Sequence, residues 1–133
     1  MDNKNLKKHK LEGLYRSYHQ NGKLQQQGNY INNKKHGIWR IYKDNGQLEQ
    51  EISWKNDIQD GITRFYNNNG QIEIEENLKN GKRNGILKWF HLNGKLLRIG
   101  SYINGRENGV FKYYNNKGKL EKEILYKFGD III

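Results

Sequence analysis

Cysteine is absent from the 133 residues, which excludes a disulfide framework, Cys/His zinc knuckles and thiol nucleophiles together. Proline is absent too, so no residue interrupts a run of strands from within. No stretch approaches the roughly 18 consecutive apolar residues of a membrane-spanning helix, and the opening Met1-Asp2-Asn3-Lys4-Asn5-Leu6 lacks the apolar run of a signal peptide. A soluble, cytoplasmic protein is the simplest expectation from those absences, although a removed leader would leave no trace. Apolar residues are scarce as well. At 34% hydrophobic residues and a mean hydropathy of −1.10 there is too little apolar material for a thick, two-layer core. A thin or extended architecture is expected.

Positive charge is abundant: 24 Lys and Arg against 14 Asp and Glu, a net +10. That excess favours acidic partners. Its distribution narrows the choice, since residues 1–12 carry +2 and successive 24-residue blocks from Gly13 carry +4, −2, +1, +3 and +2. A nucleic-acid stripe normally concentrates its charge on one face or helix, and no single block does so here.

Glycine reveals the organisation. Gly13, Gly37, Gly61, Gly85 and Gly109 recur every 24 residues, and so do Gly22, Gly46, Gly70, Gly94 and Gly118, without insertion or gap. Counting from the first glycine of each copy, position 2 is Leu14, Ile38, Ile62, Ile86 or Val110, and position 6 is Tyr18, Tyr42, Tyr66, Phe90 or Tyr114. Position 12 is always Leu or Ile, and position 18 is Tyr30, Trp54, Leu78, Tyr102 or Tyr126. The chain thus divides into a degenerate half-repeat cap at 1–12, with Asn5-Leu6 echoing Asn29-Tyr30, and five repeats at 13–36, 37–60, 61–84, 85–108 and 109–132. In the last copy Ile131-Ile132-Ile133 replaces the polar turn and glycine, which reads as an abrupt end or as a strand that pairs with something.

Each copy contains two β-type runs, such as 38–42 and 48–54, separated by a turn that ends in glycine, as Lys43-Asp44-Asn45-Gly46 does, and Asn-Gly between such runs is a strong hairpin signal. A second turn falls at Asn56-Asp57, Asn80-Gly81 and Asn104-Gly105. The expected fold is all-β: an elongated antiparallel meander of about five hairpin repeats. Two registers compete. A two-residue type I′ turn aligns Arg40 with Glu51, Arg64 with Glu75 and Lys112 with Glu123. A type I turn followed by a bulge, with glycine in the left-handed region, shifts pairing by one and places positions 2, 6, 12, 16 and 18 on one face. The bulged register is preferred because burying a continuous apolar face outweighs exposed ion pairs worth about 0–1 kcal/mol.

The string Tyr66-Asn67-Asn68-Asn69-Gly70-Gln71-Ile72, followed by Leu78-Lys79-Asn80-Gly81-Lys82-Arg83-Asn84-Gly85, resembles the bacterial MORN-type repeat, and the resemblance spans residues 5–130. It implies a β-hairpin array, association with protein or membrane, no catalytic activity of the repeats and an antitoxin-like role.

The residues themselves point away from catalysis. His19 and His91, at position 7 of the first and fourth copies, lie roughly 29 Å apart with strands ~4.8 Å apart, too far to share a metal. They read as solvated turn residues. The carboxylates Glu49/Glu51, Glu73/Glu75 and Glu121/Glu123 recur at positions 13 and 15, as a solvated face requires, and not as one catalytic pair. No Gly-x-Ser-x-Gly is present, and each glycine has a turn duty. A non-enzyme without metal or cofactor is expected.

Positions 3 and 5 carry more aromatic residues than a meander needs: Tyr15, Trp39 and Phe111 at the first, Phe65, Trp89 and Tyr113 at the second. In the bulged register they point away from the regular apolar face. Exposed aromatic patches with polar rims mark interaction sites. Trp39, Phe65, Trp89, Phe111 and Tyr113 are therefore the expected anchors for a protein partner, an acidic one given the charge. Peripheral membrane or phosphoinositide binding, single-stranded nucleic-acid binding, and self-association through the terminal strand edges are the alternatives.

Overall fold

In the computed structural model, which describes residues 10–133, every run between turn signals is a strand. These are β1 (Gly13–Tyr18), β2 (Leu24–Ile31), β3 (Lys34–Tyr42), β4 (Leu48–Lys55), β5 (Ile58–Gln59), β6 (Gly61–Tyr66) and β7 (Ile72–Lys79). They continue as β8 (Lys82–Arg83), β9 (Gly85–Phe90), β10 (Leu96–Ile103), β11 (Arg106–Glu107), β12 (Gly109–Tyr114), β13 (Leu120–Lys127) and β14 (Asp130–Ile131). All belong to one open sheet ordered β1-β2-β3-β4-β6-β7-β9-β10-β12-β13-β14, with β5, β8 and β11 added to β4, β7 and β10. Apart from the two-residue strands β5, β8 and β11, sheet neighbours are chain neighbours, which is the expected meander.

Two turn types alternate. In the first, Gly46 donates to the Lys43 carbonyl at 2.9 Å and Lys43 to that of Gln47 at 2.8 Å. The glycines at this site, Gly22, Gly46, Gly70, Gly94 and Gly118, have φ between 77° and 92°, where a side chain is strained. The second turn needs positive φ at both central residues, as type I′ does. Asn32, Asn56, Asn80 and Asn104 take the first of these places at φ 48–51°, because asparagine tolerates the left-handed region better than other side chains. Phe128 holds the same conformation at φ 48° while half exposed. Phe128→Asn is expected to stabilise the last repeat by about 1 kcal/mol, read as a higher urea midpoint. An unchanged or lower midpoint would mean that the ring's packing outweighs its strained backbone.

Asn5 and Leu6, and most of the expected cap at 1–12, lie outside the described residues. Leu11 nevertheless exchanges two hydrogen bonds with Asn33, the pattern that links Lys35 to Asp57. The terminal isoleucines do pair: Tyr126 faces Ile131, and Ile132 donates to the Leu125 carbonyl at 2.7 Å.

The register departs from the preferred one. The glycine turn is the expected bulged kind, and it pairs Tyr66 with Ile72. The next pair, however, is Phe65 with Ile74, which leaves Glu73 as an extra residue. The same irregularity recurs at Gln25, Glu49, Leu97 and Glu121. This second bulge restores the alignment of Arg40 with Glu51, Arg64 with Glu75 and Lys112 with Glu123. It also reverses the facing of every later residue in the outgoing strand, since side chains alternate with period two. Positions 2, 6 and 12 therefore share one face with 4, 15 and 17, whereas 16 and 18 join 3, 5 and 14 on the other.

The expected core is thus divided and partly inverted. Leu14, Ile38, Ile62, Ile86 and Val110, at position 2, are 37–57% exposed, and Tyr18 at position 6 is 57% exposed. Position 3 is the true centre: Trp39 and Leu87 are 1% exposed and Phe111 0%. Positions 3 and 16 alternate across the sheet as one row, Tyr15–Gly28–Trp39–Ile52–Thr63–Glu76–Leu87–Gly100–Phe111–Ile124. A single layer buries this row by alternating sizes. The Trp39 ring lies over Gly28 and the Phe111 ring over Gly100, where an added Cβ would come within 2.1 and 2.4 Å of ring carbons. Ile52 instead faces Thr63, so the bulk sits on the opposite partner. Gly28 and Gly100 have no positive φ and no turn duty, contrary to the expectation for all glycines; their function is to leave space.

Candidate functional site

Two expected anchors are removed by this geometry. Trp39 and Phe111 are core side chains, not exposed ones. Trp39 packs edge-to-face on Tyr30 at 4.9 Å, lies 5.8 Å from Tyr15 and donates its indole N–H to the Asn29 carbonyl at 3.1 Å. Phe111 packs between Tyr102 at 5.5 Å and Tyr126 at 4.9 Å. The position 3 aromatics are thus spent on the fold.

Phe65, Trp89 and Tyr113 are half-buried on the same aromatic face, and cross-strand pairing brings them into one row. Phe65 faces Ile74, Ile74 faces Trp89, Trp89 faces Arg98, Arg98 faces Tyr113 and Tyr113 faces Lys122. The row changes character along its length, from Phe65 and Ile74 to a cationic segment. There the Arg98 guanidinium lies 4.3 Å from the Trp89 ring centre, 5.0 Å from Phe111 and 5.4 Å from Tyr113, and Lys122 Nζ lies 4.6 Å from Tyr113. Arg98 was not among the anchors read from the sequence. At position 14 it follows Gln26, Gln50 and Ile74, a position with no aromatic or apolar regularity to draw notice.

The opposite face carries an ion ladder. Glu51 accepts from Arg40 Nε at 2.9 Å, lies 4.0 Å from Arg64 and accepts from the Tyr66 hydroxyl, while Arg64 Nε donates to Glu75 at 2.9 Å. Burial raises the Glu51 carboxyl, but the bonds from Tyr66 and Arg40 and the two arginine charges outweigh it and leave it below its ordinary value. Burial first, and then the bond to Glu51, push Tyr66 up to about 12. Ile99 breaks the ladder at the place of Glu51 and Glu75. Every acidic member of this ladder is paired with a cation, which makes it a brace between repeats.

The histidines are not merely solvated. His19 Nε2–H donates to the Tyr42 carbonyl and His91 Nε2–H to the Tyr114 carbonyl, each at 2.8 Å, so each ties a turn to the next repeat. Among the described residues, no group of three His, Asp or Glu side chains is placed to hold a metal.

Comparison with known proteins agrees with the period. The sequence model of the family described as MORN repeat variant matches residues 11–32, 35–56, 59–80, 83–104 and 107–128, the same 24-residue step. No curated protein matches the chain. Among solved structures, the chain is similar to a mutant of S. aureus TarM solved in complex with Fondaparinux, alpha-GlcNAc-glycerol and UDP, at a TM-score of 0.47 and 16% identity. That likeness covers 92% of this chain but only 22% of the other. Five consecutive matches, spanning most of the sequence in the phase of its hairpins, place the chain in the MORN repeat variant family.

Proposed function

We propose that this protein is a non-enzymatic scaffold that docks an acidic protein partner through the aromatic face of its third to fifth repeats. MORN repeats are protein- or membrane-binding elements. The observation that supports a protein partner is the half-buried row Phe65–Ile74–Trp89–Arg98–Tyr113, whose aromatic and arginine side chains are the types that dominate interface energies. The absence of a concentrated basic block argues against lipid headgroups, for which clustered lysines and arginines supply about 1 kcal/mol each. An antitoxin or immunity factor is one form of such docking, since a face without catalytic groups acts by occupying its target.

Co-purification from the native host at low and raised salt tests this reading, with Trp89→Ala compared against Ile86→Ala on the opposite face. Trp89→Ala is expected to weaken capture by about 2 kcal/mol, roughly thirty-fold, with the fold retained. Capture that survives Trp89→Ala but fails with Ile86→Ala would move the partner to the other face. Steep loss with salt would favour lipid or nucleic acid instead.

A further inference from the structure

We infer that Arg98 is a preformed receptor for a carboxylate, and that the partner presents a glutamate or aspartate side chain from an acidic, partly apolar segment. The inference rests on the protein-docking reading above and names the chemistry of its centre.

Arg98 differs from the other arginines of the sheet interior. Arg40, Arg64 and Arg83 each have a carboxylate at 2.8–2.9 Å, whereas no carboxylate among the described residues lies within salt-bridge reach of Arg98. Its Nε is enclosed without a hydrogen-bond partner. Three ring faces, those of Trp89, Phe111 and Tyr113, hold the guanidinium in place of hydrogen bonds. Stacking of this kind fixes the plane of the group and leaves its end, Nη1 and Nη2, free to donate. A paired N–H end matches the two oxygens of a carboxylate, and the bond is charge-assisted. Because the rings have already immobilised a long side chain, binding forgoes much of the rotamer entropy that a free surface arginine would lose.

The neighbours of Arg98 define the rest of the occupant. Ile74 and Phe65 continue the row on one side and Lys122 ends it on the other. The fourth and fifth repeats carry net charges of +3 and +2. A segment crossing this row meets an apolar strip, a single oriented guanidinium, and then a second cation. An acidic peptide with apolar flanks fits that order. A phosphorylated headgroup or a nucleic-acid backbone calls for several cations converging on one place, whereas this row sets one guanidinium among three rings and a lysine beyond Tyr113.

The test uses the full chain and decaglutamate as probe, followed by NMR at the Arg98 Nε–H and Trp89 indole N–H signals. Decaglutamate is expected to shift both, and decaglutamine neither. Arg98→Gln and Arg98→Lys, with melting temperatures checked, are each expected to weaken binding about tenfold; the lysine variant keeps the charge but not the paired donors. Lys112→Gln, on the opposite face, is expected to change it less than about twofold, as an exposed charge does. Equal losses in Arg98→Gln and Lys112→Gln would overturn the inference, since bulk charge produces that pattern. So would Arg98-dependent binding of phosphoinositide vesicles or oligothymidylate that exceeds binding of decaglutamate at the same salt. None of these measurements involves the native partner. Native capture that ignores Trp89→Ala would overturn the docking reading instead.

Discussion

Gly100→Ala is expected to destabilise the protein by about 3 kcal/mol, a large effect for adding one methyl group. The methyl carbon would stand 2.4 Å from the Phe111 ring, and Phe111 is fully enclosed by Tyr102 and Tyr126. Inserting atoms into a filled site typically costs about 1–3 kcal/mol, and displacing a buried phenyl ring approaches the 3–5 kcal/mol of deleting it. Gly70→Ala is the control, because nothing lies within 4 Å of a Cβ there and only the backbone strain of roughly 1–2 kcal/mol applies. The second repeat suggests a rescue. Ile52 faces Thr63 across the same row, so Gly100→Ile combined with Phe111→Thr reproduces a pairing the sheet already contains. Urea unfolding of the two single variants and the double should show strong non-additivity, with the double variant more stable than either single change. A double variant no better than Gly100→Ile alone would show that the alternation of sizes is not what packs this row.

Trp39→Ala is expected to cost about 4 kcal/mol, against little more than 1 kcal/mol for Trp89→Ala. Both are position 3 or 5 tryptophans, but Trp39 is 1% exposed, covers Gly28, contacts two tyrosine rings and bonds the Asn29 carbonyl. Removing it opens the centre of the first two repeats. Each repeat contacts only its neighbours, so the damage should stay near β1–β4 while NMR signals of β9–β13 persist. Equal unfolding midpoints for Trp39→Ala and Trp89→Ala would contradict the assignment of the two rings to different roles.

The division of labour among the aromatic residues was only half legible. Phe65, Trp89, Tyr113, Trp39 and Phe111 all face away from the position 2 aliphatics, as the alternation along their strands implies. What the sequence does not show is which face is packed. Aliphatic regularity at position 2 suggested a core, yet a single sheet buries whichever row its own larger neighbours close over, and that row contains variable residues. The variation among Trp39, Thr63, Leu87 and Phe111 is itself a packing signature once their partners Gly28, Ile52, Glu76 and Gly100 are set beside them. Arg98 is inconspicuous in the sequence for a related reason: its meaning lies in Trp89 and Tyr113, which are 9 and 15 residues away in the chain.

Local chemistry alone determined the period, the strands, both turns and the meander. At the two turn sites glycine and asparagine announce positive φ, and a turn about every 12 residues leaves antiparallel neighbours as the natural pairing. The facing of the side chains was decided only in the tertiary structure. A bulge at Gln25, Glu49, Glu73, Leu97 and Glu121 requires no glycine and so has no residue signature, yet one extra residue exchanges the two faces of everything that follows it. That exchange buries Trp39 and Phe111, aligns arginine with glutamate on the other side, and brings Trp89, Arg98 and Tyr113 together.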